Sequence, residues 1–428
     1  MAETIDITAL NNALKVVAAP KQRKQFNSSS WIHEKMKKMA GKMQLGGRTF
    51  EISLKHRGGG SWRTLDEMEQ LPPAGSPGYR LATVPTKTAA SVFRISLQAW
   101  RASKGQEKAW VDGKMDAMDD LVEQFALRCG QMYFRGGTGA VARVNGAPTA
   151  TATGGSFVVD ASMAAGSGQT FGQQYLQTEM YISASANLAG KEAEKTLSNA
   201  RITDLNETTL RVTFDGATMG DLADNDYIFI GERTRTSKNR DFNGFLNMID
   251  DGTFAANFLN IDRTAAGNQF WQANRLASVA GADLENIFQI ESDTIERRNQ
   301  GKISDIVTTY GVRRRFANQL KNDRRFVQAA QDGNYKGGFQ SASWMDGNNK
   351  TVNIWVDKDC PAQTAFLLDW DTIALATLGG EADWLDQGEG ILKWVDNTLG
   401  YQGIFFLMGN TVCTAPNRNA VLLDITEN

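Results

Sequence analysis

"TFEISLK" at 49–55 and "VFRISLQAW" at 92–100 are the stretches on which the fold turns. In the first, Phe50, Ile52 and Leu54 alternate with Glu51, Ser53 and Lys55. In the second, Phe93, Ile95, Leu97 and Ala99 alternate with Arg94, Ser96, Gln98 and Trp100. A two-residue apolar period places every second side chain on one face, so both read as half-buried strands. The 36 residues between them carry "GGG" (58–60) and "PPAGSPG" (72–78). A connection that long is usually functional or disordered. Paired, the two strands make a long hairpin over 46–100 with a Gly/Pro-rich tip. A two-stranded ribbon is marginal in water on its own. Something must cover its apolar face, and a second copy of the chain is the natural candidate.

Working outward, residues 1–45 read as an arm. "KQRKQFNSSSW" (21–31) is polar and basic, and "WIHEKMKKMAGKM" (31–43) predicts a short helix ending near Gly41 without a core-sized apolar stripe. Residues 1–60 hold 11 Lys/Arg against 4 Asp/Glu, a balance of +7; with −2 overall, the other 368 residues carry −9. A basic arm on an acidic body fits self-association of unlike surfaces, contact with nucleic acid, or a solvated tail.

Beyond the second strand the period changes. Val111, Met115, Met118, Val122, Phe125, Cys129 and Met132 recur at spacings of three and four, predicting a helix of about 40 Å within 101–139. "RGGTG" (135–139) stops it. Residues 140–238 turn small and then strand-like: "TEMYISA" (178–184), "NARITDL" (199–205), "TTLRVTF" (208–214) and "DYIFIGE" (226–232), a β-rich insertion. "NGFLNMIDDGTF" (243–254) reads as loop and turn. Mixed α/β patterning follows, with helices at 282–301 and 311–323 and a strand at 303–309. The stretches 351–361, 364–370, 390–397, 403–409 and 419–425 read as strands of a second sheet. The fold class is α+β.

The chain has 428 residues, 41% hydrophobic and 22% charged, ordinary for a folded protein. That length buries roughly 75% of the unfolded surface without staples. Its 3 cysteines, Cys129, Cys360 and Cys413, form no disulfide framework and suggest a reducing compartment. No secretory signal is read at the N-terminus. The apolar run "GIFFLM" (403–408) falls far short of the roughly 20 residues of a membrane span, so no membrane partner is expected.

Catalytic chemistry is thin. The only 2 histidines, His33 and His56, lie in the arm and the hairpin. No HExxH, CxxC, GxGxxG or GxxxxGK[ST] occurs, so no metal, cofactor or catalytic residue is expected. Asp221, Asp224 and Asp226 in "GDLADNDY" lack the central Gly and terminal Glu of a calcium loop. The triplet Arg313–Arg315 is a weak phosphate candidate, since such triplets on helices are usually solvated or paired. "VNIWVDKDCP" (352–361) places Cys360 among three charged residues. Val352, Ile354 and Val356 alternate, and Pro361 ends the run, so it reads as a strand running into a turn. A nucleophilic Cys360 would need a histidine from some 300 residues away.

The order of elements resembles the tailed-bacteriophage major capsid proteins of the Hong Kong-97-like fold. "GKISDIVTTYGVRRRFANQL" (301–320) is similar to that family's strand-then-helix segment. "VNIWVDKDCPAQTAFLLDWDTIAL" (352–375) is similar to its strand, acid-rich corner with proline, and second strand ending in "LD". The resemblance implies a non-enzymatic shell subunit with an N-terminal arm (1–45), an extended hairpin or E-loop (46–100), a spine helix (101–139) and the β-rich insertion (140–238). A mainly axial domain (239–390) and C-terminal strands returning to the core (391–428) complete it. It implies assembly with itself into hexamers and pentamers, a separate scaffolding protein, a portal, a decoration protein, and DNA packaged without sequence specificity on the inner face. Location would be the virion, after assembly in the host cytoplasm. On this reading Lys21, Arg23, Lys24, Lys55, Arg57, Trp62 and Arg63 contact neighbouring subunits. Encapsulin shells are similar in fold and give a second reading. A soluble α+β enzyme or carbohydrate-binding protein is a third.

Overall fold

The described residues of the computed structural model are 31–39, 43–44, 49–98, 113–151, 154–161, 171–193, 195, 197, 200–216, 221–231, 236–299, 301–319, 343–346, 350–380, 382–386, 391–396 and 398–427. They group into two compact units. One includes Ala90–Ala126 and Asp383–Phe406; the other is Ser30–Ala89, Leu127–Ala382 and Leu407–Asn428.

The larger unit is built on a six-stranded mixed sheet. Its order is Asn274–Leu276, Ala420–Leu422, Ala365–Leu368, Asp305–Thr308, Lys350–Val356 and Ser343–Asp346. The three strands Ala420–Leu422, Ala365–Leu368 and Asp305–Thr308 are buried along their whole length. A strand covered on both faces reads as a continuous apolar run, which "AFLL" and "AVL" are. The helix Leu284–Asn299 lays Leu284, Phe288 and Ile295 onto this sheet, and the helix Tyr310–Gln319 adds Val312 and Phe316. Phe288 packs against Phe316 and Trp344 at 5.7 and 6.1 Å between ring centroids.

Residues 140–230 contain a closed barrel of six strands: Ala140–Thr151, Gly154–Val159, Tyr181–Ser185, Ala200–Asn206, Arg211–Asp215 and Tyr227–Ile230. Val144, Phe157, Ile182, Ile202, Val212, Phe214 and Ile228 are buried on these strands. Closure removes the open edges that would invite pairing with another chain. The acid-rich loop beside it is tied down from within: Lys195 Nζ lies 3.5 Å from Asp226 and 3.9 Å from Asp221. Asp224 accepts from the Gly146 amide at 2.7 Å.

The helix predicted within 101–139 runs Gly113–Phe134, and Gly137 and Gly139 follow it at positive φ. Phe125, Cys129 and Met132 are buried as the period requires, but Val122 is exposed. In the smaller unit, Phe125 meets Phe405 edge-on at 5.0 Å, and Trp384 packs against both Phe405 and Phe93.

Three expectations are corrected. The strand that pairs with Thr49–Arg57 is Gly78–Pro85, in register from Thr49↔Pro85 to Arg57↔Gly78. The segment containing Phe93 and Ile95, Lys87–Ser96, pairs instead with Gly400–Cys413. Second, the C-terminal strands form two sheets. Asp383–Trp384 and Leu392–Trp394 pair with residues 401–406 of the long strand, and Ile373–Thr377 pairs with its residues 409–413. The strands Lys350–Val356, Ala365–Leu368 and Ala420–Leu422 belong to the six-stranded sheet above. Alternation says which way side chains point and nothing about which strand lies alongside. Third, "NGFLNMIDDGTF" contains a short helix, Phe245–Met248, with Phe245, Leu246 and Met248 buried. Buried Asp250 then accepts from the amides of Gly252, Phe254 and Ala255 and lies 3.7 and 3.6 Å from Arg263 and Arg275.

Candidate assembly surface: the hairpin and the arm helix

The hairpin has a root and a tip with different physics. At the root, Ala82 and Val84 are fully buried, the Thr83 amide donates to the Leu259 carbonyl at 2.9 Å, and the His56 ring stacks on Phe270 at 4.9 Å. Asn410 donates to the Pro85 carbonyl at 3.0 Å. Lys87, just beyond, donates to the Asp241 carbonyl. The Asp241 carboxylate is paired with Arg135 at 2.6 Å, both buried. Burial pushes the Asp241 carboxyl upward while Arg135, Lys87 and Arg128 pull it down. Burial lowers the Lys87 ammonium and brings the Arg128 guanidinium to about 10. The root is therefore covered by its own chain.

The tip, residues 58–77, contains no helix or strand. What holds it is polar and local. Arg63 pairs with Glu69 at 2.6 Å and donates to the Gln70 carbonyl at 2.6 Å. Arg57 donates to the Ser76 carbonyl at 3.3 Å, and Ser61 to that of Pro73. Its apolar side chains point outward: Trp62 is 87% exposed, Met68 100% and Leu71 78%. Tyr79 and Leu81 continue the exposure along the ribbon. Several large apolar side chains exposed on one loop make it a candidate interaction surface.

The arm helix, Trp31–Met39, behaves otherwise. Ile32 and Met36, one turn apart, are fully buried. Trp31 stacks on Trp355 at 4.8 Å and meets Trp370 edge-on at 6.2 Å. Lys35 Nζ lies 3.4 Å from Asp305 and 5.2 Å from the Trp370 ring centroid. Asp305 also accepts from the indoles of Trp355 and Trp370 at 2.9 and 2.7 Å. The first turn of a helix leaves amides without partners, and here the Ile32 amide donates to Asp357 Oδ2 at 3.2 Å. The expectation that 1–45 lacks an apolar stripe is thus corrected for 31–39, which docks on its own body. Two buried side chains suffice because a cap and a tryptophan stack act beside them.

This assigns a role to the acid-rich corner. Asp357 caps the arm helix and also accepts from the Asp359 amide at 2.9 Å. Asp359 pairs with Lys358 at 2.8 Å. Gln174 and Tyr175 donate to the carbonyls of Lys358, Asp359 and Cys360. Cys360 is buried, its thiol pushed well up by burial and then by the nearby carboxylates, the opposite of an activated thiolate. Cys129 is likewise pushed up, and Cys413 to about 11. The arginine triplet is split: Arg315 is buried and donates to the carbonyls of Thr426 and Ala282, and Arg313 sits over the Tyr310 ring. Among the described residues no His/Cys/Asp/Glu group is arranged to hold a metal, and no helix is long and apolar enough to cross a membrane.

Of the residues read from the sequence as subunit contacts, Lys55 and Arg57 stand exposed on the ribbon and Trp62 and Arg63 in its tip. Lys21, Arg23 and Lys24 lie outside the described residues. Sequence reasoning missed Met68 and Leu71, whose signal was a pair of isolated apolar residues in a polar loop. It also missed Asp357 and the three tryptophans, which no local pattern connects.

The protein is similar in structure to a chain of the cyanophage A-1(L) capsid asymmetric unit, with TM-score 0.56 and 11% identity, covering 97% of this chain and 98% of that one. It is similar to chains from the capsids of the empty and the native GTA particle computed with C5 symmetry. Their TM-scores are 0.51 and 0.50 at 9% identity, each covering 100% of both chains. No protein-family model and no curated protein matches the chain. The resemblance drawn from the sequence is thereby met at the level of fold.

Proposed function

We propose that this chain is the structural subunit of an icosahedral shell, the major capsid protein of a tailed bacteriophage, enclosing double-stranded DNA. The observation that carries the reading is the hairpin tip. Trp62, Met68 and Leu71 are exposed on a segment that, among the described residues, is held by its own polar bonds. A second copy of the chain, offered in a different orientation, covers them. Contacts between unlike patches repeat around an axis and close into rings and shells. The hairpin acts as the E-loop, the helix in 101–139 as the spine, residues 239–390 as the mainly axial domain and 391–428 as strands returning to the core. Lys55, Arg57, Trp62 and Arg63, with Lys21, Arg23 and Lys24 of the arm, contact neighbours in hexamers and pentamers. A separate scaffolding protein, a portal and a decoration protein complete the particle. The DNA meets its inner face without sequence specificity. The subunit has no catalytic role, assembles in the host cytoplasm and resides in the virion.

The test is removal of residues 58–77. Arg57 and Gly78 are cross-strand partners, so a two-residue turn joins them without moving the root. The expected product is a folded subunit that makes no particles by negative-stain electron microscopy. Normal shells from this variant would sink the reading.

A further inference from the structure

The chain contains two Asn–Gly pairs, Asn145–Gly146 and Asn243–Gly244, and the fold treats them oppositely. An asparagine carries its amide carbon within reach of the next backbone nitrogen, and a glycine there has no Cβ to obstruct a five-membered ring. Asn145 is exposed on the barrel strand Ala140–Thr151, where pairing with Gly154–Val159 slips. Asn145 faces Val158, and the next matched pair is Thr149 with Ser156. Such a bulge leaves the intervening residues out of the ladder. Gly146 sits in it at φ +76°, with nothing within 4 Å of the place a Cβ would take. Its amide donates to Asp224 Oδ1 at 2.7 Å, an exposed carboxylate on the neighbouring loop.

The second pair is held on every side. Asn243 is buried, its backbone amide donates to Asn410 Oδ1 at 2.9 Å, and its carbonyl accepts from Thr411. Gly244 lies so close to the carbonyls of Met132 and Arg135 that a Cβ would overlap both. Its own carbonyl accepts from the amides of Asn247 and Met248. Ring closure needs the Asn–Gly peptide to rotate, and this packing forbids that.

The geometry points to Asn145 as a self-modification site, converted to aspartate and isoaspartate through a cyclic imide, with Asp224 as the proton acceptor. The Gly146 nitrogen attacks Cγ of Asn145. The new N–Cγ bond forms, the Cγ–Nδ2 bond breaks, and Asp224 takes the Gly146 proton and returns it to the departing nitrogen, which leaves as ammonia. Water then opens the imide at either carbonyl. No oxidant or cofactor enters. The product places a new carboxylate beside Asp224, and in isoaspartate it also lengthens the backbone at the bulge. The site is independent of the assembly reading.

The test is incubation of the full-length, folded protein in mildly alkaline buffer, followed by peptide mass spectrometry and isoaspartate methylation. Asn145 is expected to convert while Asn243 stays an amide over the same period, and in urea both should convert at like rates. Asp224→Asn is expected to slow the folded reaction at Asn145 by about tenfold or more, the scale of a lost general base. Asp224→Glu should restore most of the rate. Conversion of Asn243 in a variant would reveal that it has not folded, and the wild-type and Asp224→Glu rates then decide. An Asn145 that persists in the folded protein yet converts in urea overturns the proposal, as does equal conversion of both asparagines. An unchanged rate in folded Asp224→Asn overturns the part given to Asp224.

Discussion

The arm helix and the hairpin tip look alike in sequence: short, polar, flanked by basic residues, with few apolar side chains. The structure treats them oppositely. The arm helix buries Ile32 and Met36 and stacks Trp31 against its own body, whereas the tip turns Trp62, Met68 and Leu71 to solvent. Apolar content does not separate them. What does is whether the rest of the chain offers a partner surface. The arm finds Asp357 for its first turn, Trp355 and Trp370 for its ring and Asp305 for its lysine. Among the described residues, the bonds that hold the tip come from its own loop and strand ends. The tip is thus ordered by polar bonds while its tryptophan stays bare.

The largest effect that sharpens this contrast is on assembly. Trp62→Ser with Met68→Ser is expected to abolish particles while changing subunit stability by no more than about 0.5 kcal/mol, the range for exposed positions. Sedimentation velocity and a thermal melt on the same sample separate the two outcomes. A clear loss of melting temperature would mean that the tip packs on its own subunit after all.

The arm should respond in the reverse sense. Ile32→Ala or Met36→Ala removes a fully buried side chain, a change that costs about 2–5 kcal/mol in a core. If the helix can leave without unfolding the body, that cost is capped by its docking energy. Limited proteolysis is expected to cut within Trp31–Met39 in the variants well before wild type. Asp357→Ala should weaken docking by about 1 kcal/mol, the usual worth of a helix cap. Asp357→Asn should retain most of it. Equal cutting of Asp357→Ala and wild type would remove the corner's proposed role.

Much of the chain was legible because its signal is local. Phe50, Ile52 and Leu54 announce a strand, and Leu284, Phe288 and Ile295 a helix face, wherever they are placed. The pairing of Thr49–Arg57 was not legible. Its true partner, "GYRLATVP", buries only Ala82 and Val84 fully, a faint alternation beside the strong one of Phe93 and Ile95. The corner at 357–360 reads as a turn and is one. Its second function stayed hidden because Ile32 and Asp357 are 325 residues apart. Trp31, Trp355 and Trp370 are equally scattered. The exposed tip was half legible: Gly and Pro marked a loop, but only burial distinguishes an outward Met68 from an inward one.

The smallest expected effect is one of pH, and it tests whether the arm is a fixed part of the body or a releasable one. His33 stacks on the buried Tyr133 at 6.0 Å between centroids. Burial lowers its pKa below the ordinary 6.5, Lys37 pushes the same way, and Glu34 opposes. The docked helix thus favours neutral imidazole, whereas a released helix binds the proton at the ordinary value. Docking is complete above 6.5 and weakens as pH falls through and below it. The stacked Trp31 and Trp355 provide the readout. Their fluorescence is expected to shift toward that of exposed indole between about pH 7 and pH 5, with earlier proteolysis in the arm. In His33→Gln the acid-dependent part should vanish while the neutral-pH signal stays docked. A shift of the same size in His33→Gln would assign the titration to another group and leave the arm a fixed element of the subunit.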